Sequence, residues 1–138
     1  MIDASVAFKW LVPDSAEEDV PAAKALLLDH MEGRAKIAIP HLLYYEVGSI
    51  LLFGRSRPPI EEAVEALTDL FSIPLEVVPP VLVGAHAALQ LASRLGLSYY
   101  DASYVALAEA LDCSLITADR RLAQRARAHG HVRFLGEA

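Results

Sequence analysis

Four acidic residues stand where a globular chain has little structural use for charge. Asp3 follows the apolar start Met1-Ile2 and precedes the run Val6-Ala7-Phe8. Glu46 interrupts the helix-like Leu42-Leu43-Tyr44-Tyr45-Glu46-Val47-Gly48-Ser49-Ile50-Leu51-Leu52-Phe53. Asp101 opens Asp101-Ala102-Ser103-Tyr104-Val105-Ala106-Leu107-Ala108, and Asp119 ends the strand-like Ser114-Leu115-Ile116-Thr117-Ala118. A carboxylate in apolar surroundings costs several kcal/mol unless a partner or a metal compensates it. No Lys or Arg lies at a spacing that would pair all four, whereas one divalent cation would serve them together. Hard oxygen donors suit Mg²⁺ or Mn²⁺, which keep several waters and bridge to phosphate. Each acid also has an ordinary use. Asp3, Asp101 and Asp119 fit helix N-caps, worth about 1 kcal/mol apiece, and Glu46 could face solvent on an amphipathic helix.

The elements that must position these acids are short strands alternating with helices. Met1-Ile2, Lys36 to Ile39, Leu75 to Val78, Ser114 to Thr117 and Val132 to Leu135 read as buried strands, each short, mostly apolar and bounded by breakers. Helical patterns cover Ser5 to Leu11, Ala16 to Glu32, His41 to Arg55, Ile60 to Phe71, Val81 to Leu95, Ala102 to Leu111 and Arg120 to His129. Pro21 places the true start of the second helix nearer Asp19. The pattern predicts an α/β fold, a three-layer α/β/α sandwich around a central, mainly parallel sheet. Ligands of open α/β sheets bind at the carboxyl ends of the strands. Asp3 and Asp119 follow strands, Glu46 lies in the second turn of the helix after the second strand, and Asp101 starts a helix that returns to the sheet.

Composition sets the bounds. A chain of 138 residues is expected to form a single domain over 1–138, and 54% hydrophobic residues with a mean hydropathy of +0.34 exclude disorder. The longest apolar stretch, Val77 to Ala92, is interrupted by Pro79, Pro80, Gly84, His86 and Gln90, so no membrane span is expected. No secretion signal is recognisable, and a cytoplasmic location is expected. Cys113, the single cysteine, excludes an internal disulfide, and without a Cys/His cluster a zinc site is not expected. The net charge of −6 argues against indiscriminate nucleic-acid binding. The basic residues are uneven, however. Arg120, Arg121, Arg125, Arg127 and Arg133 fall within 120–133, a stretch without acids, and form either a solvated face or a local guide for a phosphodiester.

Taken in order, several segments resemble a known family. They are Asp3-Ala4-Ser5, Phe8-Lys9-Trp10, Pro40 with Glu46, Tyr100-Asp101-Ala102-Ser103-Tyr104-Val105-Ala106-Leu107-Ala108, and Leu115-Ile116-Thr117-Ala118-Asp119-Arg120-Arg121-Leu122. Together they look like a PIN-domain ribonuclease of the VapC toxin type over essentially the whole chain. The resemblance implies that Asp3, Glu46, Asp101 and Asp119 are the catalytic, metal-binding acids for Mg²⁺ (or Mn²⁺), with Ser5 and Thr117 as supporting hydroxyls. The family often has Asn three residues after the helix glutamate. Here Ser49 takes that place, on the same helical face but with shorter reach.

The function so implied is that of an endoribonuclease toxin acting with a VapB-type antitoxin and often dimeric, hence an expected homodimer. A metal would activate water for in-line attack on an RNA phosphate. Lys9, Arg120 and Arg121 are candidates for phosphate contact, with Lys9 equally able to pack its stem beside Trp10. His30, His41, His86, His129 and His131 have no motif support as a base and are expected to be structural or on the surface. Trp10, Tyr44, Tyr45 and Phe53 could line an apolar groove for the partner, with core packing expected for at least half of them. The competing classes are a PIN fold kept only as a non-catalytic scaffold and a metal-dependent protein-binding module. An adhesion module would want a second serine where Ala7 stands. A phosphoaspartyl receiver would want a second acid beside Asp3 and a late lysine, and no lysine follows Lys36.

Overall fold

The first two residues are already tied to the far end of the chain. In the computed structural model, which describes residues 1–137, Ile2 forms a parallel bridge with Ile116. The Ile116 N–H donates to the Met1 carbonyl at 2.9 Å, and the Met1 ammonium donates to the Ser114 carbonyl at 2.9 Å. Asp3 therefore emerges beside the strand that leads to Asp119.

The strands are β1 (Ala38–Pro40), β2 (Glu76–Val78), β3 (Leu115–Thr117) and β4 (Val132–Phe134). β1 pairs with β2 and β3 with β4, both in parallel. The expected N-terminal strand is reduced to the bridge at Ile2, and the ladder is two parallel pairs rather than one continuous sheet among the described residues. Parallel pairing demands crossover connections, which the helices supply. These are α1 (Ala4–Lys9), α2 (Val20–Met31), α3 (Leu42–Phe53), α4 (Ile60–Ser72), α5 (Leu82–Leu95), α6 (Tyr99–Ala110) and α7 (Arg120–Arg125). The result is the α/β/α layering that the alternating pattern predicts.

Burial follows the strand period of two. Leu115 and Thr117 are fully buried on one face of β3, and Ile39 is buried between its half-buried neighbours in β1. Val6, Ala7, Leu43, Val47, Ala102, Val105 and Ala108 bring α1, α3 and α6 into the same core. Trp10 joins it, its indole N–H donating to the Ala23 carbonyl at 2.8 Å. α5 and α6 pack most extensively. Their turn is made by Gly96 at φ 65°, a left-handed conformation that glycine adopts without a Cβ clash.

Three helix boundaries differ from the sequence pattern. α2 begins at Val20, four residues later than the apolar pattern, because Pro21 has no N–H and fits only the first turn. α6 begins three residues earlier than expected, capped by Ser98, whose Oγ accepts the Asp101 N–H at 3.0 Å. Asp101 is therefore not the N-cap. Serine three residues before an acid is half of a capping box, a stronger start signal than the acid itself. α7 stops at Arg125 and continues as a 3-10 turn, Arg127–His129, ended by Gly130 at φ 84°.

Two histidines have structural work. His30 Nδ1 accepts the Ile37 N–H at 3.1 Å, so the proton lies on Nε2, which faces the Pro74 carbonyl at 3.0 Å. One ring thus ties the approach to β1 to the approach to β2. His131 contacts the Cys113 carbonyl through Nδ1 at 3.0 Å, next to β3, where Cys113 is half-buried.

Candidate active site

Asp3 is both the N-cap of α1 and the most buried acid of the group, at 5% exposure. Its Oδ1 accepts the N–H groups of Ser5 at 3.1 Å and Val6 at 3.3 Å and the Ser5 hydroxyl at 2.5 Å. Its Oδ2 accepts the Thr117 hydroxyl. Each hydroxyl has one proton, and both are spent on Asp3, so the 3.4 Å approach of Ser5 Oγ to Thr117 Oγ1 is contact only. The hydroxyl oxygens also accept. Ser5 Oγ takes the Ala118 N–H at 2.9 Å, and Thr117 Oγ1 takes the Asp119 N–H at 3.0 Å. Two small hydroxyls therefore bind the start of the chain to the β3–α7 turn, with Asp3 at the centre. Burial still outweighs these bonds. Loss of water raises the Asp3 pKa to about 6, the hydroxyls and the Val6 N–H pull it down, and the Asp119 charge adds to the rise.

Glu46 projects from α3 and is half-buried. Burial raises its pKa, the Tyr104 hydroxyl lowers it, and the charges of Asp101 and Asp3 raise it further. The Tyr104 hydroxyl faces Glu46 and the backbone of Ala4, yet neither it nor Glu46 Oε1 completes a hydrogen bond of good geometry. Both are buried polar atoms left without a partner, a costly state. Asp101 lies in the first turn of α6, where the helix N-terminus favours negative charge. Burial and the Asp119 charge raise its pKa, while Ser98 and the Arg121 guanidinium lower it. Asp119 is exposed and caps α7, its Oδ1 accepting the N–H groups of Arg121 at 2.8 Å and Leu122 at 3.2 Å.

Four segments distant in sequence thus bring their acids within reach of one another's charge. They do not form a closed cage: among the described residues no three His, Cys, Asp or Glu side chains stand together as a ready metal site. Asp3 is held by hydroxyls and amides, and Asp119 by its own helix. Mg²⁺ does not require such a cage, since it binds through one or two carboxylates together with water and phosphate. The orphaned Glu46 Oε1 beside two other acids is a donor of the right chemistry. The residues present therefore fit a hard divalent cation.

The other sequence candidates fall into distinct places. Ser49 is exposed on α3, and among the described residues no hydrogen bond joins it to the acids. Lys9 departs from its expected role in phosphate contact. It is buried, and its ammonium donates to Glu17 at 2.8 Å and to the Glu18 carbonyl at 2.7 Å. Burying a lysine is tolerable only with such partners, which commits it to holding α1 to the following loop. Arg121 lies close enough to Asp101 to act on its pKa, whereas Arg120 lies over the Phe134 ring at 4.6 Å. Tyr104 received no role from the sequence. Its spacing of three from Asp101 puts both on one face of α6 and could have pointed to it. Of the candidate groove aromatics, Trp10 is in the core and Tyr44 stacks on Phe71 at 4.2 Å, while Tyr45 and Phe53 are exposed.

An α/β fold with acids gathered beside the ends of β1 and β3 agrees with what known proteins indicate. Residues 1–128 match the PIN domain family, and the chain belongs to that family. Within it the likeness is to VapC proteins. The chain is 39% identical over 117 residues to VapC ribonuclease Mb0985 of Mycobacterium bovis (strain ATCC BAA-935 / AF2122/97), covering 80% of this chain and 90% of that protein. The same identity and coverage hold for ribonuclease VapC9 of Mycobacterium tuberculosis (strain ATCC 25618 / H37Rv). The crystal structure of PAE2754 from Pyrobaculum aerophilum superposes with a TM-score of 0.70 at 25% identity, covering 98% of this chain and 89% of that one. No helix among the described residues is long and apolar enough to cross a membrane.

Proposed function

We propose that this protein is a divalent-metal-dependent endoribonuclease acting as the toxin of a VapBC-type pair. The observation that carries the reading is the uncompensated acidic cluster, above all the partnerless Glu46 Oε1 among the charges of Asp3 and Asp101. Glu46, Asp101 and Asp3 would hold Mg²⁺ (or Mn²⁺), with Asp119 completing a second or weaker position. A cation there supplies Lewis acidity for water activation and offsets charge on the oxygen that departs from the cleaved phosphodiester.

The chain's own residues set the stage for that chemistry. Ser5 and Thr117 fix the Asp3 carboxylate against rotation, so that its orientation is settled before any ligand arrives. Arg121, whose charge acts on Asp101, would meet an RNA phosphate and draw a polyanion toward an otherwise acidic surface. A cognate VapB-type antitoxin would place an arginine among the carboxylates, where a guanidinium binds in bidentate fashion, and lay apolar residues along the exposed side chains of α3. A homodimer in solution belongs to the same proposal.

The test is cleavage of single-stranded RNA by the purified chain with Mn²⁺ and with EDTA. Cleavage only with metal supports the nuclease. A melting temperature raised by metal, with no cleavage of any RNA, would favour the protein-binding module instead. Expression in cells with and without a VapB-type partner tests the toxin role. Poisoning relieved by the partner supports it, and a harmless chain that still cuts RNA would make it a housekeeping nuclease.

A further inference from the structure

The arginines of the C-terminal segment divide between two places. The Arg121 charge acts on Asp101. Arg120, Gln124 and Arg127 recur at the three-to-four spacing of one helical face, and with Arg133, Phe134 and Glu137 they line an open cleft of about 640 Å³. That volume lies within the range of about 300–1,000 Å³ usual for small-molecule sites.

The cleft gathers more positive charge than the protein uses internally. Arg120 lies over Phe134, with its centre 4.6 Å from the ring centroid. Its only acidic partner among the described residues is Glu18 at 3.6 Å, with both side chains largely exposed, so the pair contributes little. Arg127 and Arg133 are exposed and make no ion pair among the described residues. Three guanidinium groups and the Glu137 carboxylate line the cleft, and Glu18 and Asp19 adjoin it at Arg120 and Phe134, in a protein whose net charge is −6. Arg127 and Arg133 do not line the adjoining pocket of Glu18 and Asp19, and charges more than a Debye length away, about 8 Å at physiological salt, are screened, so the cationic part of the cleft is the part they form.

Planar forked donors suit phosphate oxygens, and the Phe134 ring under Arg120 holds that guanidinium by a cation–π contact. α7 links the cleft to the acidic site, for Asp119 caps the helix that carries Arg120 and Gln124. The cleft begins at Arg120, the residue after Asp119, and reaches Arg127 in the 3-10 turn beyond the end of α7.

We propose that the cleft formed by Arg120, Arg127, Arg133 and Phe134 is a strand-anchoring site that binds the backbone of single-stranded RNA beside the cut. It rests on the reading of the acids as an RNA-cleaving centre. A net-negative nuclease with an acidic centre repels its own substrate, and the cleft offsets that repulsion where the strand leaves the site.

The experiment measures fluorescence anisotropy of labelled decauridylate in EDTA, which holds cleavage off, for the wild-type protein, R127A/R133A and R127K/R133K. Both positions are exposed, and circular dichroism checks that the fold is kept. At about 50 mM salt R127A/R133A is expected to bind about ten-fold more weakly, with the slope of log affinity against log salt shallower by about 1.4, two contacts at about 0.7 each. R127K/R133K restores the slope, because lysine keeps the charge. Unchanged affinity and slope in R127A/R133A overturn the proposal, as does polyglutamate of equal length competing as well as RNA, which would make the cleft an acidic-peptide site. With Mn²⁺ added, the loss should appear in KM rather than kcat for the decamer. A dinucleotide too short to reach the cleft should be cut alike by all three proteins. A wild-type chain that cuts no RNA, yet loses binding in R127A/R133A, would remove the nuclease reading and leave the cleft standing. Normal cutting with unaltered binding in the variant would remove the cleft alone.

Discussion

The Thr117 hydroxyl donates to Asp3 Oδ2 at 2.5 Å across 114 positions of the chain. The same oxygen accepts the Asp119 N–H, so one hydroxyl joins two of the four clustered acids. Thr117→Val keeps the shape and removes the hydroxyl, leaving the Asp119 N–H and one lone pair of Asp3 unmatched in a buried setting. The expected cost is about 1–3 kcal/mol, read from the urea midpoint of metal-free protein, with Thr117→Ser close to wild type. A Thr117→Val protein as stable as the parent would mean that water replaces the bond.

Acidity of Asp3 gives the metal-free protein a distinctive pH dependence. Its folded pKa of about 6 lies above the ordinary 3.8. Between those values the native chain binds more protons than the unfolded chain, so the stability contributed by this group is full below 3.8, falls as pH rises, and levels off above about 6. The difference of 6 − 3.8 corresponds to about 3 kcal/mol. Glu46 and Asp101 act in the same direction. Asp3→Asn should flatten this fall, as measured by urea unfolding at several pH values. Identical slopes for the two proteins would place the Asp3 pKa near its ordinary value. Mg²⁺ at millimolar concentration should restore part of the stability lost at neutral pH, through binding to the native state alone.

Asp101→Asn should retain the fold, since the α6 cap belongs to Ser98. It removes the charge that raises the pKa of Glu46 and feels that of Asp119. RNA cleavage in Mn²⁺ should fall by about 100-fold or more, while metal-free stability rises slightly. Undiminished cleavage by this variant would remove Asp101 from the reacting centre.

Lys9→Met is expected to lower stability and leave RNA affinity alone. The ammonium is enclosed by Glu17 and the Glu18 carbonyl, and its loss should cost about 1–3 kcal/mol in thermal or urea unfolding. A weaker affinity for decauridylate at unaltered stability would return Lys9 to the role in phosphate contact that its sequence position suggests.

Much of this site was legible one segment at a time. A charged residue inside an apolar run is visible without coordinates, as at Glu46, and so is a cap residue at the end of a strand, as at Asp119. The helices and four of the five expected strands lie within a few residues of the sequence pattern because the apolar period survives in each segment, while Met1-Ile2 forms only a bridge. α6 starts three residues before the expected Ala102 because Ser98, not Asp101, caps it. One-dimensional spacing cannot reveal that Glu17 folds back onto Lys9.

The sequence by itself determined which residue types are present, their helical or extended local state, and the membership of the PIN-domain family that follows from them. Local propensity and the cost of burying charge act within a few residues, and these suffice for that much. Only the tertiary structure decided that Asp3 is held by Ser5 and Thr117, that Glu46 Oε1 and the Tyr104 hydroxyl are both buried without a completed bond, and that Arg120 lies over Phe134 while the Arg121 charge acts on Asp101. Those outcomes depend on which segments the parallel pairings bring side by side. The bridge from Ile2 to Ile116 is set by the packing of the whole core, and no local stretch encodes it.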